Sequence, residues 1–186
     1  FKMKIPLPLL PIQKQIIQKL DEILGQLEEK KKAVFSIIDQ NKEKIDFFEE
    51  NWLSYIIERE IEKHPQRKEW KLKKLGDPEI SEIIMGQSPP GSTYNTEQNG
   101  MPFFQGKKDF GEKFPTPKTW CTEPKRIAKK GDILLSVRAP VGSTNWAKEE
   151  CCIGRGLSAI RPKIEGDFIY YRLQSISKEL SRSGSG

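Results

Sequence analysis

Ser88, Thr93 and Tyr94 fall in a loop stiffened by Pro89, Pro90 and Gly91. Gln105, Gly106, Lys107 and Lys108 follow the apolar run at 101–104, and Ser136 and Arg138 close a second apolar run just before Ala139-Pro140. Arg155 stands between Gly154 and Gly156. These are amide, hydroxyl and cationic side chains at the ends of apolar runs, beside residues that either fix the backbone or allow a close approach. The chemistry open to them is binding. A glutamine amide can bond adenine at two points and an arginine or lysine can do the same to guanine. Lysine, serine, threonine and backbone N–H groups hold phosphate oxygens. Each residue alone also reads as a turn residue or a structural ion-pair partner; recurrence at strand ends makes them a set.

Catalytic motifs are missing. The sequence has no phosphate-binding P-loop, no Gly-x-Gly-x-x-Gly, no Gly-x-Ser-x-Gly and no His-Glu-x-x-His. It also has neither the Asn/Asp-Pro-Pro-Tyr/Phe motif nor the Pro-Cys dipeptide of DNA methyltransferases. Lys148, Glu149 and Glu150 faintly echo the acidic metal-ligand cluster of a nuclease, but they read better as a solvated turn beside Cys151. The chain has one histidine, His64, and three cysteines, two of them adjacent at Cys151 and Cys152. That count supports neither a disulfide framework nor a zinc site. The expectation is no catalytic residue and no metal site.

The binding set must be positioned by the rest of the chain. Its 186 residues suffice for one ordinary domain plus a long element. The net charge of +6 is uneven. Residues 1–63 carry 11 Lys/Arg against 12 Asp/Glu, and residues 64–186 carry 21 against 14. A basic domain attracts polyanions, among which nucleic acids are prominent. No apolar run reaches the roughly 18 residues of a membrane span, and the cysteine usage suits a reducing cytoplasm.

Three prolines make residues 5–11 an extended strap, with Pro11 placed in the first turn of a helix. From Ile12 to Lys63 there is no proline, and apolar residues recur at steps of three and four. The period predicts a long helix with a coiled-coil seam through Ile16, Leu20, Ile23, Leu27, Val34 and Ile37, with the polar Asn41 also on it. Thirty-five helical residues span about 50 Å, more than a domain of about 120 residues with a radius of gyration near 14 Å can cover. The stripe therefore needs a second helix, either residues 47–61 folding back or a second chain. Polar seam residues fit a paired coil, and pairing between chains is the expectation. Past His64-Pro65 the helical period gives way to short apolar runs at 70–72, 80–85, 101–104, 133–137 and 156–160, separated by turn clusters. A final helix is expected over 167–181.

Several stretches together resemble the specificity (S) subunit of Type I restriction–modification enzymes. The strap IPLPLLPIQ at 5–13 is similar to the segment preceding that family's conserved helix, with Ile12 where an acidic residue is usual. Residues 70–76 with GQSPP at 86–90, and GMPFFQG at 100–106, resemble the start of a target recognition domain. The most specific likenesses are GDILLSVRAPVG at 131–142 and CIGRGLSAIRP at 152–162.

The resemblance implies an α+β fold: a long coiled-coil helix, then a mostly β target recognition domain with a C-terminal helix. Residues 1–11 would be a strap completing a recognition domain, 12–63 the conserved spacer helix, and 64–186 the recognition domain. The implied function is sequence-specific recognition of double-stranded DNA by a non-catalytic cytoplasmic subunit. That subunit would scaffold the modification (methyltransferase) subunits and, through them, the restriction subunit. S-adenosylmethionine, ATP and magnesium would sit only on those partners. The family's full subunit has two such halves, so a half-sized chain implies a homodimer or a second half-subunit. The competing readings are a fragment of a DNA-modifying enzyme, nuclease or methyltransferase, and a coiled-coil adaptor with a basic protein-binding surface.

Overall fold

The computed structural model describes residues 4–35 and 42–183, with the side chains of 4–31, 52 and 54–183. Two compact units divide it, one formed by residues 6–72 and the other by residues 73–186 together with the first five.

The smaller unit is helical. The first strand, β1 (Lys4–Leu7), pairs with β2 (Lys71–Lys74), which sets the start and end of this region side by side. Helix α1 (Leu10–Phe35) begins with Pro11 in its first turn. The Leu9 carbonyl accepts from the amides of Ile12 and Gln13, and the buried Gln13 side chain donates to the Pro8 carbonyl at 2.9 Å. Helix α2 (Lys42–Lys63) stops at His64, because Pro65 disfavours helix in the residue before it. The two helices are in contact within the one chain. Ile12, Ile16 and Leu20 on α1 and Ile56, Ile57 and Ile61 on α2 are buried.

Of the expected long helix region over 12–63, helix is described up to Phe35 and again from Lys42, and residues 36–41 lie outside the described residues. Ile16 and Leu20 are covered by their own chain rather than waiting for another. Ile23 and Leu27 are half-buried. The side chain of Val34, and Ile37 and Asn41 altogether, lie outside the described residues. The expected strand at 70–72 with one buried face is also displaced. β2 starts at Lys71, and Leu72 is 57% exposed.

The larger unit contains two sheets and two C-terminal helices. The four-stranded sheet has the order β3 (Ser81–Met85), β11 (Leu157–Pro162), β8 (Ile133–Ser136), β9 (Thr144–Trp146). The five-stranded sheet has the order β4 (Tyr94–Asn95), β6 (Trp120–Cys121), β5 (Met101–Phe104), β10 (Cys151–Ile153), β7 (Ile127–Ala128). Alternation along the strands assigns the faces. Phe104, Cys151 and Ile153 join Leu134, Leu157 and Ala159 in one buried cluster between the sheets. Phe103, Cys152 and Cys121 cluster on the other face of the five-stranded sheet.

Helix α3 (Gly166–Ser175) packs on β9 and β11, burying Phe168, Ile169 and Leu173, and Tyr170 stacks on Trp146 at 5.0 Å. The expected single C-terminal helix is two, because the chain bends at Ile176 before α4 (Ser177–Ser183). One ion-pair cluster ties the four-stranded sheet together. Arg161 grips the buried Asp132 through both carboxylate oxygens, at 3.0 and 2.9 Å, and reaches Glu82 at 3.1 Å. Asp132 in turn accepts the Lys129 amide at 2.8 Å, so the turn before β8 is anchored to β11.

Candidate nucleic-acid interface

Sheet topology alone brings four loops to one end of the larger unit. β3 and β8 both run antiparallel to β11, with Met85 opposite Ser158 and Ser136 opposite Leu157, so their C-terminal ends leave the sheet beside the start of β11. β5 and β10 are parallel, with Phe104 opposite Ile153, so they also end together. Backbone hydrogen bonds then knit the loops. The Gly86 amide donates to the Leu157 carbonyl, Gln87 to Ile153, Gly154 to Phe104 and Val137 to Gly156, all at 2.8–2.9 Å. The Arg155 amide adds a bond to Ser88 Oγ at 3.2 Å. Gly86 and Gly156 permit the close approaches, since a Cβ would lie 2.2 Å from the Gly154 carbonyl oxygen at the first and 2.2 Å from the Gln105 carbonyl oxygen at the second.

A cleft of about 350 Å³ lies among these loops, lined by Ser88, Gln105, Gly106, Lys107, Lys108, Arg138 and Arg155, with Ala139, Pro140 and Gly156. Lys107, Lys108, Arg138 and Arg155 are exposed, and no carboxylate lines the cleft. None of these four cations forms an ion pair among the described residues. Uncompensated cations around a concave surface focus positive potential. The Gln105 amide and the Ser88 hydroxyl add neutral hydrogen-bonding groups. The arrangement can hold anionic oxygens and present bidentate side chains to a flat hydrogen-bonding edge.

Seven of the ten expected binding residues therefore meet in one cleft, and three are placed elsewhere. Thr93 Oγ1 donates to the Pro90 carbonyl at 2.7 Å. The Tyr94 hydroxyl donates to the Pro89 carbonyl at 2.8 Å, its ring packs on Phe103 at 4.7 Å, and burial pushes its phenol pKa up. Ser136 is buried, with Oγ 3.0 Å from the Arg138 carbonyl and 2.8 Å from that of Pro140, so its proton holds the turn. All three hydroxyls are engaged by their own backbone.

The residue that sequence reasoning passed over is Asp109. Its Oδ2 accepts the Gln105 amide at 2.6 Å and the Gly106 amide at 3.2 Å. An acidic residue three positions after Gly106 was the available signal, because a side chain at that spacing reaches back to the free amides at the start of a turn.

The acidic echo at 148–150 is split between two clefts. Lys148 and Glu149 line a cleft with Phe104 and Phe114, whereas Glu150 lines a different one with Met101 and Cys121. Among the described residues no group of three or more His, Cys, Asp or Glu is arranged to hold a metal ion. Burial pushes the thiol pKa values of Cys121 and Cys151 up to about 12, so both stay protonated at neutral pH. Among the described residues no helix is long and apolar enough to cross a membrane.

The family described as "Type I restriction modification DNA specificity domain" matches residues 67–186, which include every residue of the cleft. The chain belongs to that family. Across 99% of its length it is 37% identical to the "Putative type I restriction enzyme MjaX specificity subunit" of Methanocaldococcus jannaschii, covering 44% of that protein. Two solved structures are 42% identical. One is the HsdS subunit of Thermoanaerobacter tengcongensis, with TM-score 0.63 over 98% of this chain and 45% of that one. The other comes from work on complex assembly and conformational transition of a type I R-M system, with TM-score 0.66 over 96% of this chain and 44% of that one. The chain thus spans less than half the length of these specificity-family relatives. Their fold agrees with the helical region, mostly β domain and C-terminal helical segment seen here.

Proposed function

We propose that this chain is a recognition and scaffolding module that reads double-stranded DNA sequence and carries no catalytic step of its own. The observation that carries the reading is the convergence of four unpaired cations and the Gln105 amide on one cleft. Lys107 and Lys108 contact phosphates and set affinity. Arg138 and Arg155, anchored through turns rather than through their own side chains, read base edges, with Gln105 as the adenine-type reader.

Methylation and cleavage belong to partner modification and restriction subunits, which hold S-adenosylmethionine, ATP and magnesium. The described residues supply one recognition domain beside one helical region, and a second copy or a second half-subunit is proposed as the partner of that helical region. The half-buried Leu24 and Leu27 of α1, with Ile23 beside them, offer a seam for that pairing.

The test is duplex binding by the purified chain. The expected result is binding that weakens linearly in log–log salt, by about 0.9 per phosphate neutralised, with no methylation or cleavage when S-adenosylmethionine, or ATP and magnesium, are added to the chain alone. Turnover by the chain alone would contradict the reading in favour of an enzyme fragment. Protein binding indifferent to competitor DNA would favour an adaptor.

A further inference from the structure

Asp109 is the acidic residue nearest in sequence to Lys107 and Lys108, yet it neither lines the cleft nor pairs with a cation among the described residues. Its bonds go to backbone. Oδ2 accepts the amides of Gln105 at 2.6 Å and Gly106 at 3.2 Å. Its own amide donates to the Gly106 carbonyl at 3.0 Å, and its carbonyl accepts the Thr116 amide at 2.9 Å. Charge-assisted bonds of this kind are shorter and about twice as strong as neutral ones. On the opposite wall, Gly156 presses so close to the Gln105 carbonyl that no side chain fits between them. The Gln105 peptide is held by its amide from one side and confined at its carbonyl from the other. Its side chain and the two lysines after it leave the sheet from that clamped point.

A carboxylate beside a cationic cleft opposes the approach of any polyanion. Its presence makes sense if the geometry it fixes matters more than the attraction it subtracts. We infer that Asp109 is a positioning residue that sets sequence discrimination by fixing the Gln105–Gly106 backbone, at some cost in general affinity for DNA. This rests on the DNA reading above. It predicts two effects of opposite sign. Removing the acceptor should relax discrimination, and removing the charge should tighten non-specific binding.

The test selects a preferred duplex from a random-sequence pool with the 186-residue chain. It then compares that duplex with a scrambled one of equal composition for wild type, Asp109→Ala and Asp109→Asn. For Asp109→Ala the preferred-to-scrambled affinity ratio should fall about tenfold or more, within what one base contact is worth, while affinity for the scrambled duplex holds or rises. Asp109→Asn keeps an acceptor oxygen, so its ratio should stay close to wild type while scrambled affinity rises.

An unchanged ratio for Asp109→Ala, or equal weakening on both duplexes, would overturn the inference. So would Asp109→Asn losing discrimination as fully as alanine, since charge would then be the operative property. If Asp109→Ala does not fold, Asp109→Asn carries the test alone: its ratio should hold while scrambled affinity rises, and a lost ratio or an unchanged scrambled affinity would refute the claim. A wild-type chain that selects no sequence would fail the DNA reading itself, whereas a selective wild type matched by an equally selective alanine variant fails Asp109 alone.

Discussion

The proposed recognition cleft and the helical unit hold their residues in opposite ways. In the cleft, Lys107, Lys108, Arg138 and Arg155 are exposed, and their places are set by backbone bonds among Gly86, Gln87, Val137, Gly154 and Arg155 and their acceptors. In the helical unit, placement comes from side-chain burial, with Leu20 at 1% exposure and Ile57 and Ile61 at 2%. A position fixed by backbone tolerates a new side chain, because no packing is lost when the old one goes. A position fixed by burial does not. On the proposed DNA reading, the contrast lets a scaffold keep its fold while the cleft side chains change.

The largest effect expected from this contrast is in the helical unit. Leu20→Asp puts an unpaired carboxylate on the buried face of α1 and should cost about 3–5 kcal/mol of stability. Urea unfolding followed by far-ultraviolet circular dichroism would show it as early loss of helix. The sequence preferred in DNA selection should survive in whatever fraction stays folded. A variant as stable as wild type would mean that Leu20 is not held by burial.

Arg155→Ala should do the reverse. Stability should stay within about 0.5 kcal/mol of wild type, as for an exposed site, while discrimination at one position of the recognised site falls by about 1–3 kcal/mol. A matching loss at every position would make Arg155 a phosphate contact. Lys107→Ala should weaken all duplexes alike and make the salt slope shallower by about one, read by fluorescence anisotropy at several salt concentrations.

The smallest effect concerns the core. The Cys151 thiol, buried between the two sheets, is pushed up to about 12 from its ordinary 9.0. Its folded form therefore keeps the proton that the unfolded chain releases first. Its contribution to stability is complete below about pH 9 and is lost as pH rises toward 12. Urea midpoints measured from pH 8 to pH 11 should fall less steeply in Cys151→Ala, and the cleft's sequence preference should not change.

Legibility in the sequence followed the same divide between local and distant causes. Strands β3, β5, β8 and β11 overlap the apolar-rich stretches at 80–85, 101–104, 133–137 and 156–160 and could be placed from them. Strands β4, β6 and β7 have two residues each and β9 has three, too few to show a period. β10 begins directly after Lys148-Glu149-Glu150 and was masked by that polar turn. No proline or glycine between Gly166 and Ser183 marks the bend at Ile176.

In the site, the cleft residues were legible because they stand at run ends beside Gly or Pro. Thr93, Tyr94 and Ser136 looked the same in sequence, because whether a hydroxyl turns to its own backbone depends on loop geometry. The grip of Arg161 on Asp132 joins residues 29 apart and leaves no local pattern.

The central claim, that the cleft reads sequence, is tested most directly by selection from a random duplex pool with the wild-type chain and an Arg138→Ala/Arg155→Ala double variant. The wild type should enrich one short motif. The double variant should stay folded and still bind duplex through Lys107 and Lys108 at low salt, with that motif lost. Enrichment of the same motif by both proteins, or of none by the wild type, would contradict it.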